Sequence, residues 1–375
     1  MIRFLLVLGL CGFVCTGADL IEKAREAQGR GDYRAAAEAW RNVVESQPDN
    51  AEARSNFGVM LHLAGEDKQA LEQFRRALRE KPGLIAANLF AGVALVNLGR
   101  PREAIGYLEH ARSKDGSSVA PGLALARAYV ALREFDKANG YYREASERDA
   151  SNAEAWFGLG ITYRNLADSE LRKRGGTESA EAKRLLAQAL DALTHAVDLD
   201  PQSERVHLIR GESLRDAGHL QDSIQEYQIA IRLRPGSAAA HLGLATTYWK
   251  SGEIDNVLAP LRRALELSPR DPEGHGIMAD LLVRQGDFVG ATRHAKVALE
   301  GNPGLFHVRA VLAKVYLAQE RADLAVLELK KAAPFDITGS YYFLLYRALK
   351  QLGREQDAGA ALEKYKQIHG SSAQP

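Results

Sequence analysis

The sequence predicts an all-α chain of about ten helix–turn–helix units laid end to end, one of them with elongated helices. Three observations carry this reading. A unit of 34 residues recurs along nearly the whole chain, with prolines recurring at the same separation. Apolar residues three and four apart draw one stripe on each of two short helices per unit. A Gly closes the first helix and a Pro closes the second.

Residues 51–84 show the unit at its most regular. Phe57, Gly58 and Leu61 precede the turn at Gly65, and Ala70, Phe74 and Ala77 precede Pro82. Pro48 and Pro82, then Pro201, Pro235, Pro269 and Pro303, are each separated by 34 within a run. Pro82 and Pro201 are separated by 119, which is three units plus 17. Three units and one insertion are therefore expected there.

The first unit, 19–50, carries the turn Gly31-Asp32-Tyr33 before Ala36 and Trp40, and 51–84 is the second. The third, 85–118, has Gly92, Leu95, Gly99, Ala104 and Ala111 but ends at Gly116 where Pro is missing, so a looser helix stop is expected. The fourth, 119–152, carries Ala126, Tyr129, Ala138, Tyr142 and Ala145. The fifth, 153–203, opens with Trp156, Leu159, Gly160 and Tyr163, yet Ala189, Leu193, Ala196 and Pro201 arrive 17 residues late. The extra residues, about 167–183, are polar and broken by Gly175-Gly176, which predicts two lengthened helices. Such a hairpin is a solvated extension or a contact arm using Arg172, Lys173 and Arg174.

Units 204–237, 238–271, 272–305 and 306–338 place Gly211, Ala245, Ala279 and Ala313 where paired helices approach closely. Pro260 falls inside a second helix, tolerable only near its start. The ninth unit is irregular at 333–336 and one residue short. The tenth, 339–369, ends in a more charged helix that suits a terminal cap, and 370–375 reads as a disordered tail.

These residues resemble the tetratricopeptide repeat, a pattern of about 34 residues. The resemblance covers about 19–369 and implies a right-handed superhelical α-solenoid whose first helices line a concave groove. Carried onto this sequence, the groove positions of the second and third units are Ser55, Val59 and His62, then Leu89, Val93, Val96 and Asn97. The fourth and fifth give Leu123, Arg127 and Val130, then Phe157, Ile161, Arg164 and Asn165. The sixth and seventh give Leu208, Glu212, Arg215 and Asp216, then Leu242, Thr246, Trp249 and Lys250. The eighth and ninth give Asp280, Val283 and Arg284, then Lys314 and Leu317. The first half of this row is apolar and the second charged, so an apolar contact followed by selection on charge is expected, unless Val93, Leu123 and Phe157 merely pack against neighbouring units. Family members that grip a C-terminal carboxylate use basic residues where Leu89, Val93 and Leu123 stand, so that mode is not expected.

Apolar content of 46% with 26% charged residues fits a folded helical protein. The opening MIRFLLVLGLCGFVCTGADL joins Arg3 to an apolar run and a small-residue exit, which reads as a signal peptide, 1–18, cleaved after Ala18. Cleavage leaves 48 basic and 48 acidic residues, because only Arg3 is lost from 49 against 48. That balance argues against nucleic acid or an anionic membrane as partner. Cys11 and Cys15, the chain's two cysteines, lie in the leader behind Leu10 and Val14, which suit lipidation poorly.

His207, His241 and His275 recur at intervals of 34. Equivalent positions on stacked pairs lie about 10 Å apart, too far to share a metal ion, and packed neutral rings are expected. Gly92 and Gly160 read as packing glycines, and no nucleophile elbow, phosphate loop or cofactor motif is present. The expected function is a non-enzymatic, periplasmic or secreted scaffold that binds a protein or peptide. The alternatives are a lipid-tethered or periplasmic assembly factor of an envelope or secretion complex, and a peptide or glycan binder in uptake.

Overall fold

The computed structural model describes residues 17–173 and 179–369, and all regular structure among them is helical. The chain divides into two compact units, one ending at Thr162 and one beginning at Tyr163. The first contains α1 (Gly17–Gly29), α2 (Tyr33–Ser46), α3 (Ala51–Leu63), α4 (Asp67–Glu80), α5 (Ile85–Asn97), α6 (Pro101–Lys114), α7 (Ala120–Ala131) and α8 (Phe135–Arg148). The division falls inside α9 (Ala153–Lys173). The second unit continues with α10 (Ala180–Leu199), α11 (Glu204–Asp216), α12 (Leu220–Leu233), α13 (Ala238–Ser251), α14 (Leu258–Leu267) and α15 (Pro272–Arg284). It ends with α16 (Phe288–Gly301), α17 (Phe306–Ala318), α18 (Ala322–Ala332), α19 (Ser340–Gln351) and α20 (Glu355–His369).

Within each unit an odd-numbered helix pairs with the next even-numbered one, and successive pairs stack in chain order. The prolines act as the spacing requires. Pro48, Pro82, Pro201, Pro235, Pro269 and Pro303 each follow the C-cap residue of an even-numbered helix, where a residue without an N–H can only end it. Starts are marked by side-chain caps: Asn50 accepts from Ala53 N–H, Ser237 from Ala240 and Asp271 from Gly274.

The core is a relay of volumes. Several even-numbered helices insert a side chain against a small residue of their own pair or of the following helix. Phe74 meets Gly58, Leu108 meets Gly92, and Tyr227 is held between Gly211 and Gly243. An added Cβ would lie 2.6 Å from the Phe74 ring at Gly58 and 2.4 Å from Leu108 at Gly92. Ala245, Ala279 and Ala313 fill the own-pair position and are fully buried. Sixteen residues after the inserted side chain the partner differs from pair to pair: Tyr142 faces Gly158 and Tyr227 faces Gly243, Leu261 is followed by Ile277 and Ala295 by Val311 in the buried clusters, and Phe74 stacks with Phe90. At the two tyrosines close packing demands that one side give where the other fills. Gly158 lies against the Tyr142 ring, and Gly160, read from the sequence as a packing glycine, is buried as well.

The irregular units follow from local chemistry. The elongated helices are α9, with 21 residues, and α10, with 20, against 13 in α3. Gly175, Gly176 and Arg174 of the proposed arm lie outside the described residues, as do residues 1–16 of the leader and the 370–375 tail. At Gly116 the stop is firmer than expected, because the Asp115 carboxylate accepts hydrogen bonds from the Ser117 and Ser118 amides and the Ser117 hydroxyl. Those bonds also hold Asp115 below the usual carboxylate range, the Ser117 hydroxyl contributing most.

Pro260 sits in the first turn of α14, which follows a single 3-10 turn at Ile254–Asn256 and spans ten residues. At 333–336 a 3-10 turn precedes Asp336, whose buried carboxylate takes the Tyr341 and Tyr342 amides and so starts α19. Where the turn after a first helix lacks Gly, Arg133 and Glu320 adopt φ of 61° and 60°. This left-handed geometry is costly for a residue with a Cβ.

Candidate functional site

In the first unit the resemblance-derived positions divide by burial. Leu123 and Phe157 are buried and pack in the core, which corrects their reading as groove contacts, and Ser55 is buried too. Val59, Leu89, Val93, Val96, Val130 and Ile161 remain half-buried. The polar positions are tied to one another. His62 Nδ1 lies 2.5 Å from Asp67 Oδ1, and Asn97 donates to Asp67 Oδ2 at 2.9 Å. Asp67, at the start of α4, thus clips α3 to α5. Arg127 of α7 pairs with Glu154 in the first turn of α9 at 2.5 Å.

The second unit repeats this cross-linking with more charge. Arg164 of α9 reaches Glu212 and Asp216 of α11, each at 2.9 Å. Burial opposes its charge, but the two carboxylates outweigh that and hold the guanidinium above its ordinary value. Arg215 donates to the Tyr227 hydroxyl at 3.2 Å. Burial raises that phenol far above its usual range. Arg284 of α15 lies over the Trp249 ring of α13, 4.6 Å from its centroid, and Lys314 of α17 sits 3.8 Å from Asp280 of α15. The charged positions therefore pair from one first helix to the next, so most are not free to select a ligand.

Lys250 is the exception. Among the described residues it has no hydrogen-bond or ion-pair partner, and it borders a cleft of about 570 Å³ with Arg164, Asn165, Asp168, Arg172 and Asp216. Desolvation and the nearby Arg215 hold its ammonium below the ordinary lysine value, against the attraction of the Asp216 carboxylate. Leu171 and Leu186 give the cleft an apolar wall.

The histidine column plays a different part. His207, His241 and His275 place Nε2 at 3.1, 3.1 and 3.0 Å from the carbonyls of Pro201, Pro235 and Pro269. Arg54, Asn88, Trp156 and Arg309 donate in the same way to the residue six before each. The position is a polar clasp on the preceding helix stop, with His207 and His275 buried as packed rings and His241 half-buried. The second ring nitrogen varies: His207 Nδ1 faces buried Glu226 at 2.7 Å, and His275 Nδ1 faces His294 Nδ1 at 2.7 Å. Sequence spacing exposed the column, but its partner nineteen residues later carried no signal of its own. Among the described residues no group of three or more His, Cys, Asp or Glu side chains is placed to hold a metal ion, and no helix is long and apolar enough to cross a membrane.

One family model described as tetratricopeptide repeat matches residues 21–85, 177–238 and 208–272, and a second of the same description matches 95–159. Together they span more than half of the sequence. The chain belongs to the tetratricopeptide repeat family. No catalytic family matches it, and tetratricopeptide repeats are generally non-enzymatic scaffolds for protein and peptide partners.

Among solved structures, yeast Tom70 is 15% identical, with 94% of this chain and 92% of that one covered and a TM-score of 0.43. A thermophilic tetratricopeptide repeat protein of Thermus thermophilus, TTC0263, is 24% identical, with 57% and 99% covered and a TM-score of 0.42. YrrB, described as having an unusual peptide-binding site, is 19% identical, with 54% and 96% covered and a TM-score of 0.42. No curated protein matches the sequence.

Proposed function

We propose that this chain is an exported scaffold that binds a protein or peptide partner through side chains on the first helices of its pairs, without catalysing a reaction. The observation that carries the reading is Lys250, an unpartnered cation beside a cleft whose other charges are largely matched. An extended segment with an acidic side chain toward Lys250 and an apolar one toward Leu171 and Leu186 fits that cleft. In the first unit, half-buried Val59, Val93 and Val96 offer apolar contact. Export rests on the leader composition, with Arg3 before the apolar run and Ala18 at its exit.

Affinity capture from the producing cell with the wild type and with Lys250→Glu tests the site. A partner captured by the wild type and lost from a folded variant supports it, and identical partner sets for both chains refute it. Mass spectrometry of the mature protein tests export: a start at Asp19 supports cleavage, acylation at Cys11 or Cys15 favours the lipid-tethered reading, and an intact Met1 refutes processing.

A further inference from the structure

The strongest charge concentration that the proposed site leaves unused lies on the second-helix side of the first unit. There α4 and the turn from α5 into α6 enclose a cleft of about 540 Å³. Its rim carries Lys68, Arg75, Arg76, Arg79 and Arg100 against a single lining carboxylate, Glu72, over a floor formed by Leu71 and Leu98.

The pairing of these groups is uneven. Arg76 pairs with Glu72 at 2.5 Å, and Arg100 with Glu103 at 2.7 Å, while Arg75 reaches the same Glu103 only at 3.5 Å. Among the described residues Lys68 and Arg79 have no ion pair or hydrogen bond. Even with Glu103 included, five cations face two carboxylates. Helix placement explains part of this, because Arg79 in the last turn of α4 faces the negative end of the helix dipole. It does not explain Lys68, which stands in the first turn where a cation is disfavoured.

The same cleft recurs in the second unit, built by the equivalent positions of α16 and the turn into α18, with about 580 Å³. There Val289, Val297 and Glu300 stand where the first unit has Lys68, Arg76 and Arg79. Arg293, Lys296 and Arg321 remain there against Glu300, so the fold makes both cavities and the first carries the larger surplus, five lining cations to three.

We infer that this cleft is a second docking site, and that its occupant is an acidic peptide segment of a partner protein. The cations run along α4 from Lys68 to Arg79, about 16 Å at 1.5 Å per residue, instead of converging on one point as a single phosphate would require. An extended segment presents same-side side chains about 6.7 Å apart, so three alternating carboxylates span the row. Arg75, Arg76 and Arg79 supply planar forks suited to carboxylates.

The test uses the full chain and a fluorescein-labelled peptide, Glu-Ala-Glu-Leu-Glu-Ala-Glu, followed by anisotropy at low and moderate salt. Saturable binding that weakens with salt is expected, with loss of about tenfold in affinity or more for Lys68→Glu/Arg79→Glu. Both positions are exposed and unpaired, so this variant strands no carboxylate and its circular dichroism should match the parent. The paired change Arg293→Glu/Lys296→Glu in the sister cleft should leave binding within about twofold. Absence of saturable binding, or equal losses in the two variants, overturns the proposal, the second outcome marking a general charge effect. Binding of a sulfated heparin oligosaccharide in place of the peptide, abolished by the same Lys68→Glu/Arg79→Glu change, also overturns it in favour of an anionic glycan. Should the double reversal unfold, Lys68→Gln/Arg79→Gln reads the same loss at smaller amplitude.

Discussion

Gly243→Ala probes the volume relay directly. A Cβ at 243 would lie 2.3 Å from Tyr227 Cε1 and 2.4 Å from Cζ, against ordinary contacts near 3.4–4 Å. The ring must therefore retreat by about 1 Å. Room for that retreat is small: Tyr227 is fully buried, and even a Cβ built on Gly211 would come within 3.2 Å of the same ring. Overpacking of this kind costs up to about 3 kcal/mol, and replacing a helical Gly by Ala returns about 1 kcal/mol. The net loss is about 2 kcal/mol, roughly thirtyfold in an opening equilibrium.

Hydrogen exchange read by mass spectrometry should show that acceleration across α11 to α13, a local readout suited to an array whose unfolding is not all-or-none. Gly140→Ala is the control: nothing lies within 4 Å of its Cβ, so exchange in α8 should slow. Adding Tyr227→Leu to Gly243→Ala should recover part of the loss, as the Leu261 and Ile277 pairing does one repeat later. Unchanged or slower exchange in Gly243→Ala would refute the relay.

Further predictions concern the clasps and turns. His294 is held below its ordinary value of 6.5, first by burial and then by His275 and Arg293, with Asp287 opposing. The unfolded chain therefore binds the proton first, and stability falls as pH drops through about 6.5; His294→Gln should flatten the melting temperature between about pH 7.5 and 5.5. Glu226→Ala leaves His207 and Arg210 without their shared, buried partner, so the opening free energy of α11 and α12 should drop by about 3 kcal/mol, measured by exchange. Glu320→Gly relieves a left-handed residue and should raise the melting temperature, by about 1 kcal/mol of stability. Asp336→Ala removes the carboxylate that takes the Tyr341 and Tyr342 amides and should fray the start of α19, costing about 1–2 kcal/mol by exchange.

Sequence legibility was uneven. The helix stops were plain, since a Pro after a C-cap reads the same in the sequence and in space. The elongated α9 and α10 were legible as 17 residues out of register. The candidate site was legible only as a row. Which members of the row are accessible depends on how tightly neighbouring pairs pack, and Leu123 and Phe157 proved to be core while Val93 and Val96 did not. Val93 and Leu123 are both aliphatic, so identity could not separate them.

Charges misled for a related reason. Arg164, Glu212, Arg284, Asp280 and Lys314 read as a selective surface, yet four of them close ion pairs with one another or with Asp216, and Arg284 lies over Trp249. Their partners stand about 34 to 52 residues away, beyond any local pattern.

The sequence by itself determined the helical pairs, their number and their punctuation, because capping, proline geometry and a 3.6-residue stripe act over a few residues. Only the tertiary structure decided which side chains are spent on holding pairs together. Ion pairing and volume matching between stacked helices depend on atoms that the chain brings within about 3 Å only after it has folded, and that selection leaves Lys250, Lys68 and Arg79 as the cations without partners on which function is proposed to rest.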